Sequence, residues 1–424
     1  MIWKIHNMKI NQLQKNISNE WTQGTLGDFL NRLEGGGTPS KENPDYWKGS
    51  IPWASVKDVV THNPNNTQDH ISELGLKNSS SRLVSKGTII VPTRMALGHA
   101  VIFNVDVAIN QDLKALYPKN DLLNQYLFYW FISKKEFIKK LGSGSTVSGI
   151  QQNELKKIKL NLPPLPEQNR IVSVLETWDK AIEKLAQKIE IKKQIKKGLT
   201  QDLLTGKKRL SGFKDKWKVV LLGDIGEFRT SSVDKKTIQN EKMAFLCNYM
   251  DVYKRKVIKS TDIFQKITAK ESQFESSSLE IGDILFTPSS ETPEDIGHSS
   301  VIQSTLPNLL FSYHLVRFRP NKNVLNILYS GYCFNQVSFR KYLSSVSAGV
   351  TRFTLSKPVF EKATINLPSI EEQKAISEIL TIVDKQIMEL EKKLSILKDQ
   401  KKYLLNNLIA GTIRTPEKLS APKK

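Results

Sequence analysis

LPPLPEQNRIVSVLETWDKAIEKLAQKIEIKKQIKKGLTQDLLTGKKR, residues 162–209, returns about 205 residues later as LPSIEEQKAISEILTIVDKQIMELEKKLSILKDQKKYLLNNLIAGTIR, residues 367–414. Aligned without a gap, about 19 of the 48 positions are identical, where chance would give about three. The two stretches are therefore copies of one ancestral segment. They decide the fold, because both have the pattern of a long helix.

Both copies show apolar residues at alternating steps of four and three, which is the seam of a coiled coil. Pro166 suits a first helical position, and Ser369 with Glu372 forms a capping-box pattern. Gly206 and Gly411 stand where a left-handed C-cap is expected. Each helix would hold about 39 residues and span about 58 Å. The predicted seam, interrupted by Lys192, Lys196 and Lys401, consists of Ile171, Leu175, Trp178, Ile182, Leu185, Ile189, Leu199, Leu203, Ile376, Leu380, Val383, Ile387, Leu390, Leu394, Leu397, Leu404 and Leu408.

An apolar stripe of this length needs a cover, and the nearest cover is the other copy. Copies related by a two-fold axis would be antiparallel, with one globular domain at each end of the pair. The alternative is two unrelated amphipathic helices, each packed on its own domain, but the shared register argues against it. We therefore predict a pair of long antiparallel coiled-coil helices within a pseudo-two-fold internal duplication.

The duplication continues outward with gaps, since Trp21 and the Leu-Gly-Asp at 26–28 correspond to Trp217 and the Leu-Gly-Asp at 222–224. Short β-like runs and a helix-like stretch near 122–140 predict α+β globular domains in both halves. The predicted divisions are an N-terminal extension (1–20), a first globular domain (21–160), a central helical spacer (161–209), a second globular domain (210–366), a C-terminal helical spacer (367–414) and a tail (415–424).

Length and charge limit the class of protein. A chain of 424 residues exceeds one ordinary hydrophobic core, and its net charge of +21 attracts polyanions. Nucleic acid is the first partner to consider; an acidic membrane and a generically basic cytoplasmic protein are the alternatives. The longest apolar run, 126–132, is too short to cross a bilayer, and residues 1–20 lack the apolar core of a signal peptide, so we expect a cytoplasmic protein.

Four segments, together with Arg94 outside them, carry candidate DNA contacts. GGGTPSKENPDYWKGSIPWASVKD (35–58) combines glycines with hydroxyls, lysines and aromatic rings, although its tryptophans are equally suited to anchor a tight loop in the core. LGSGSTVSGI (141–150) and its counterpart at 346–353 suit a phosphate cradle or a plain flexible connector, and YKRK (253–256) is basic beside an aromatic ring, although most such clusters are merely solvated. The candidates are Thr38, Ser40, Lys41, Trp53, Lys57, Arg94, Ser145, Thr146, Lys254, Arg255, Lys256, Thr351 and Arg352.

No catalytic motif stands out in the sequence. It has no Walker A loop for ATP and no Asn-Pro-Pro-aromatic string for holding a flipped base. Glu-x-Lys triplets at 154–156 and 391–393 are expected by chance in a lysine-rich chain. The six histidines, and the two cysteines Cys247 and Cys333, lack metal-ligand spacing. We therefore predict no catalytic residue and no metal site, and we expect the cysteines to be buried thiols.

Taken together, the motifs resemble the specificity subunits of type I restriction-modification systems. The resemblance rests on Trp...Leu-Gly-Asp opening each half, GGTPS...YW.G.IPW in the first half, and LPPLPEQ leading into a long helix that ends at glycine. It extends from Trp21 to about Arg414. It implies a non-catalytic subunit in which each globular domain, a target-recognition domain, reads one half of a bipartite double-stranded DNA target. The helices would set the unread gap.

The resemblance also implies partners: two methyltransferase subunits held by the helices and adjoining surfaces, restriction subunits for cleavage, and no membrane. S-adenosylmethionine, ATP and Mg²⁺ would be bound by those partners and not by this chain. One departure is that the second half lacks GGTPS...IPW and has RTSSVDKKT (229–237) instead, so the half-sites should differ. The alternatives are a stand-alone DNA methyltransferase or nuclease, and a coiled-coil adaptor without DNA binding.

Overall fold

The computed structural model describes residues 21–142 and 149–416. The chain forms two compact units, residues 1–185 with 393–424 and residues 186–392. Two long helices, Leu165–Leu204 and Ile370–Ala410, each contribute residues to both units. None of the described helices combines the length and the apolarity that crossing a membrane requires.

The first unit contains ten short strands among its described residues. They are β1 (Thr22–Thr25), β2 (Leu30–Gly35), β3 (Ile51–Ala54), β4 (Asp69–Ile71), β5 (Arg82–Val84), β6 (Ile89–Pro92), β7 (Val101–Ile102), β8 (Val107–Ile109), β9 (Leu113–Pro118) and β10 (Lys159–Leu162). One sheet has the order β2-β9-β6-β7 and another β4-β3-β8-β5. The antiparallel pair β1–β10 brings the first described residues of the domain beside the start of the long helix.

In the part of the chain that the structure describes, five α-helices accompany these strands. The first unit contains α1 (Val56–Val60), α2 (Glu73–Lys77), α3 (Asn124–Leu141), α4 (Gln152–Lys156) and the first part of α5 (Leu165–Leu204). The predicted helix near 122–140 is α3, which buries Tyr126, Trp130 and Ile138 at steps of four and eight. The same core includes Leu175 of α5, so the long helix is part of this domain's packing.

The second unit has the same general plan with more strands. They are β11 (Lys218–Leu221), β12 (Gly226–Thr230), β13 (Lys242–Cys247), β14 (Val257–Ile258), β15 (Lys266–Ala269), β16 (Ile284–Phe286), β17 (Ser289–Ser290), β18 (Ser299–Ile302), β19 (Leu309–Phe311), β20 (Val316–Pro320), β21 (Phe353–Thr354) and β22 (Thr364–Leu367). The sheet orders are β12-β20-β16-β18-β14, β15-β13-β19, β17-β21 and β11-β22. The β11–β22 pair corresponds to β1–β10 of the first unit.

The helices of this unit are α6 (Tyr249–Lys254), α7 (Glu271–Ser277), α8 (Ile327–Cys333), α9 (Val337–Ser345), α10 (Lys357–Glu361) and part of α11 (Ile370–Ala410). Two helices, α8 and α9, stand where the first unit has the single α3. Aromatic rings fill the core, with Phe228 stacked 4.6 Å from Phe318 and 5.7 Å from Phe360. Both units therefore combine sheets and helices, and the α+β prediction is confirmed.

The long helices run antiparallel, as predicted, and each unit shows this independently. In the first unit Glu167 near the start of α5 pairs with Arg414 just beyond α11, and Asp179 pairs with Lys401. In the second unit Lys193 of α5 pairs with Glu391, and Lys196 pairs with Asp384. Within each unit, the residue number of the partner on α11 decreases as the residue number on α5 increases, as expected for antiparallel helices.

The residues predicted for the seam are all buried or partly buried. The lysines that interrupt the seam bind polar groups of the opposite helix: Lys192 donates to the Gln386 side chain at 2.9 Å, while Lys196 and Lys401 pair with aspartates. These two aspartates also accept from the tyrosines of the adjoining domain, Tyr129 and Tyr332, each at 2.8 Å. Lys196 and Lys401 thus each belong to a Tyr–Asp–Lys chain that links both helices to a globular domain.

The repeated Glu-Gln dipeptide ties each globular domain to the helices. The buried Glu167 carboxylate accepts from Trp21 Nε1 at 3.0 Å and from two nitrogens of Arg414 at 2.5 and 2.7 Å. Gln168 accepts from the Leu123 amide at 2.9 Å and donates to two carbonyls. Glu372 and Gln373 make the corresponding bonds in the second unit, with Trp217 and Arg209 as partners of Glu372.

The hydrogen bonds of Glu372 show that the capping box predicted for Ser369 and Glu372 is only half formed. Ser369 Oγ accepts from the Glu372 amide at 3.3 Å, which is the first half of a capping box. The Glu372 carboxylate bonds to Arg209 and Trp217 instead of returning to the helix start, because a guanidinium and an indole offer it three donors. The predicted C-caps are present, since Gly206 and Gly411 have φ of +72° and +74°. Helix α5 begins at Leu165, one residue before the predicted Pro166.

Candidate nucleic-acid interface

The glycine-rich segment of the first domain packs against Ile109, the last residue of β8. A Cβ added to Gly36 would lie 1.8 Å from the Ile109 carbonyl oxygen, and the Gly37 amide donates to that oxygen at 3.1 Å. The glycines therefore allow close backbone packing, and the residues that follow face outward. Thr38, Ser40 and Lys41 are all exposed, with the Thr38 hydroxyl 2.6 Å from the Gln111 side-chain oxygen.

Trp53 is placed differently from the other candidates. It is 5% exposed and packs with Ile71, and its Nε1 donates to Gly37 O at 3.2 Å and Ser81 Oγ at 3.1 Å. From this position it supports the glycine segment from below and is not available to stack on a base. The expectation that Trp53 contacts DNA is corrected: the core-anchor alternative describes it, because a buried indole needs an internal acceptor.

Lys57 lines a cavity of the first domain, and Arg94 lies beside two of its lining residues, Met95 and Asp112. This cavity, of about 520 Å³, is lined by Lys57, Met95 and Asp112 among others. Arg94 is exposed and lies 3.9 Å from the Asp112 carboxylate, and its backbone bridges to Gly149. The neighbouring Met95 has φ of +56° and is 70% exposed. Ser145 and Thr146 fall outside the described residues.

In the second domain Thr351 and Arg352 line a cavity of about 660 Å³. Four further segments meet there, contributing Lys235, Tyr249 and Tyr253 of α6, Glu291 and His314. Burial is the main cause that lowers the pKa of His314, with the nearby cations Arg352 and Lys235 acting in the same direction. The cavity combines cations, hydroxyls and aromatic rings, which are the groups that contact nucleic acid.

Sequence reasoning missed the rigid wall of this cavity. Tyr249 and Tyr253 are stacked at 6.0 Å, and the Tyr253 hydroxyl donates to the Asp295 carboxylate at 3.1 Å. His298 Nε2 lies 2.9 Å from the same carboxylate, and burial lowers the pKa of His298. The bond to Asp295 raises the pKa of Tyr253. Tyr253 belongs to the YKRK segment, and His298 to a Gly-His pair that occurs at both 98–99 and 297–298, but neither feature of the sequence identifies Asp295 as their shared partner.

The basic cluster YKRK does not act as one patch. Lys254 is exposed, whereas Arg255 lies 3.5 Å from Asp251 and 3.6 Å from Asp262. Lys256 lies over the Tyr332 ring at 5.5 Å, beside the helices and away from the Arg352 cavity. Only part of the cluster therefore remains a candidate for DNA contact.

A second surface of this unit is a groove of about 950 Å³ beside the long helices. Its walls include the lysines Lys193, Lys196, Lys197, Lys256 and Lys341, with apolar groups such as Val337 and Met388 between them. Lys193 pairs with Glu391 at 2.6 Å and Lys196 pairs with Asp384. Five lysines against two carboxylates, Asp384 and Glu391, give the groove a net positive charge, and burial together with the neighbouring Lys196 lowers the pKa of Lys256.

Within residues 21–142 and 149–416, no cluster of His, Cys, Asp or Glu has the arrangement of a metal site. Cys247 and Cys333 are buried as predicted, and burial raises the pKa of both thiols. Both thiols are therefore held in the protonated form, which is a poor nucleophile.

Comparison with known proteins identifies the family. The family model described as "Type I restriction modification DNA specificity domain" matches twice, over residues 18–193 and 214–398. The chain is 26% identical over 402 residues to the type I restriction enzyme MjaIX specificity subunit of Methanocaldococcus jannaschii, covering 86% of this chain and 92% of that protein. It is 32% identical over 167 residues to the EcoR124I/EcoR124II specificity subunit of Escherichia coli, covering 38% and 41%.

Solved structures agree on the fold. The S subunit of a type I restriction-modification system from M. genitalium matches with a TM-score of 0.51 and 17% identity, over 92% of this chain and 96% of that one. The relatives are specificity subunits and not methyltransferases or nucleases, which confirms the prediction of a non-catalytic subunit. With two matched domains spanning most of its length, the chain belongs to the DNA specificity subunits of type I restriction-modification systems.

Proposed function

We propose that each globular domain reads one half of a bipartite double-stranded DNA target. The observation that carries this proposal is a duplicated framework bearing two different loop surfaces. The first domain exposes Thr38, Lys57 and Arg94, whereas the second exposes Thr351 and Arg352. Different donors select different bases, so the two half-sites would not be the same sequence. The net charge of +21 supports binding to a polyanion.

The test is equilibrium binding by the full chain assembled with its methyltransferase. We expect a preference for one bipartite sequence, and an affinity that falls steeply as salt rises because cations released from DNA drive the association. Equal affinity for every duplex at every salt concentration would contradict the proposal.

We further propose that two methyltransferase subunits dock on the helices and adjoining surfaces, one in each unit, and that restriction subunits join this assembly. Helix α5 exposes Ile191 and Ile195 to 58% and 59%, although neither belongs to the seam. Helix α11 exposes Ile396, the position equivalent to Ile191, to 46%. Exposed apolar residues at helical spacing, beside a basic groove, suit a partner with an apolar and acidic face.

A stoichiometry measurement tests this docking surface. Replacing Ile191 and Ile195 together with serine should reduce the methyltransferase content from two copies to one, as measured by sedimentation of the complex. Lys188→Ser is the matched control, since this exposed residue lies on the same helix. Two copies retained in the isoleucine variant would exclude this surface.

The long helices would set the number of unread base pairs, since each passes from one unit into the other. S-adenosylmethionine, ATP and Mg²⁺ would bind the partner subunits, and the assembly would act on DNA in the cytoplasm. Incubating the isolated chain with DNA, Mg²⁺ and S-adenosylmethionine should therefore give neither cleavage nor methylation. A metal-dependent product would favour a stand-alone enzyme instead.

A further inference from the structure

A tight hairpin projects Arg352 from the second domain. Ala348 and Thr354 exchange backbone hydrogen bonds of 3.1 and 2.9 Å, which closes the loop between them. Gly349 has φ of +148°, and a Cβ at this position would lie 2.0 Å from the Arg352 carbonyl oxygen. Glycine is therefore required for the turn that presents the tip, because any side chain would collide with the backbone.

The tip itself has no packing role. Val350 is 92% exposed, which is unusual for an apolar residue held in an ordered turn, and Thr351 and Arg352 are exposed beside it. The tip thus offers a methyl surface, a hydroxyl and a guanidinium together. Phosphate contacts would use only the last two, whereas a base edge in the major groove can use all three.

The Arg352 guanidinium is positioned by a hydrogen bond and keeps its positive charge available for a ligand. One nitrogen donates to Ser289 Oγ at 3.3 Å, and among the described residues no carboxylate forms an ion pair with Arg352. Ser289 belongs to β17, which pairs with β21 and so fixes the base of the hairpin. Most of the guanidinium donors remain available for a ligand. Arginine matches the O6 and N7 acceptors of guanine with two parallel donors, which is the commonest specific contact in DNA recognition.

The rest of the cavity is rigid enough to fix a base position. Tyr249 donates to the Ser289 carbonyl at 3.0 Å, and Tyr253 is held by Asp295, so both ends of the stacked tyrosine pair are anchored. The Arg340 side chain lies behind them, donating to the Glu294 carbonyl at 3.0 Å. Because the stacked tyrosine pair and Arg352 are both held in place, they select one orientation for a base that enters the cavity.

The duplication gives independent support. At the offset that aligns the two halves, Gly349 and Thr351 match Gly144 and Thr146, so the glycine and the hydroxyl are repeated. Val350 and Arg352, by contrast, stand where the first half has Ser145 and Val147. The glycine and the hydroxyl residue are repeated in the sequence while the residues beside them differ, which is the expected pattern when a shared framework carries different specificities.

We propose that Arg352 is a specificity-determining residue that reads a guanine in the major groove of the target, with Val350 packed against the methyl group of an adjacent thymine. This inference rests on the proposed function, because it assigns one base contact within a half-site. It also predicts that the half-site read by the second domain contains a G·C pair at that position.

Binding of the complete chain with its methyltransferase to single-substituted duplexes tests this assignment. Each base pair of the target is replaced in turn, and affinities are compared for wild type, Arg352→Ala, Arg352→Lys and the control Lys322→Ala, an exposed residue that does not line the Arg352 cavity. Wild type should lose about 5- to 150-fold at the guanine. Arg352→Ala should bind all bases there almost equally while discriminating at every other position, Arg352→Lys should discriminate only weakly, and Lys322→Ala should behave as wild type.

Two results would overturn the assignment. If Arg352→Ala keeps the full wild-type pattern, Arg352 reads no base. If it weakens binding equally on all sequences with a smaller salt dependence, or abolishes binding while melting as wild type, Arg352 is a phosphate or general contact. Equal affinity of the wild-type complex for every duplex would instead refute the proposed function, so the two failures are distinguishable.

Discussion

Replacing Glu167 with glutamine tests how each globular domain is fastened to the helices. The carboxylate is 3% exposed and accepts three hydrogen bonds, two from Arg414 and one from Trp21. Glutamine keeps the size but removes the charge and turns an N–H group toward other donors. The residue left behind is a partly buried arginine whose best acceptor is gone, which is the costly outcome for a buried ion pair.

The magnitude follows from those contacts. Three bonds to a charged acceptor at about 1.5 kcal/mol each give about 4.5 kcal/mol. The Arg414 side chain is 32% exposed, so water replaces part of what is lost and about 3 kcal/mol remains. For a unit of roughly 200 residues this lowers the melting temperature by about 6 to 12 °C.

Differential scanning calorimetry of the full chain measures this effect, because separate units give separate transitions. The transition of the first unit should move while the other stays. Glu136→Gln, on an exposed position of α3, is the matched control and should change the melting temperature by less than about 2 °C. A Glu167→Gln shift no larger than that of the control would refute the argument that this carboxylate fastens the domain.

Three other predictions concern the helices. Tyr332→Phe removes the hydrogen bond to Asp384 and should lower the free energy of unfolding by about 1 to 2 kcal/mol. The control Tyr342→Phe, at an exposed site, should change that free energy little. Equal effects of the two variants in calorimetry would contradict the Tyr–Asp–Lys chain. The added methyl group of Gly206→Ala makes only van der Waals contact with Trp217, so the variant should be destabilised by its left-handed backbone alone. A denaturant titration should show a free energy of unfolding lower by about 1 to 2 kcal/mol. An unchanged free energy of unfolding would contradict the role of Gly206 as a C-cap. Deleting seven residues from each long helix shortens it by about 10 Å, so the unread gap should shrink by about three base pairs in methylation sequencing; an unchanged gap would rule out helix length as its determinant.

Local periodicity is why the helices were predictable. The seam from Ile171 to Leu203 repeats at the helical period, and Gly206 marks its end, so residues close in sequence carry the information. The polar partners of the seam are less local: Lys196 interrupts the apolar pattern, and its aspartate partner lies nearly two hundred residues away. A sequence pattern shows that such a lysine is out of place but does not identify what it binds.

The candidate interface was predicted less completely because it is built from distant loops. Thr38 and Arg352 are exposed, but Trp53 is a core residue and Lys256 faces the helices instead of the Arg352 cavity. Neither placement follows from neighbouring residues, since burial depends on which strands pair. The Tyr253–Asp295–His298 arrangement joins segments about forty residues apart, so composition gave no sign of it.

Sequencing of modified bases in DNA methylated by the chain with its methyltransferase tests the central claim most directly. Two short, different half-sites separated by a fixed number of unspecified base pairs is the predicted result, with one modified base assigned to each half. A single continuous motif, or methylation without sequence preference, would contradict the reading of DNA by two separate domains.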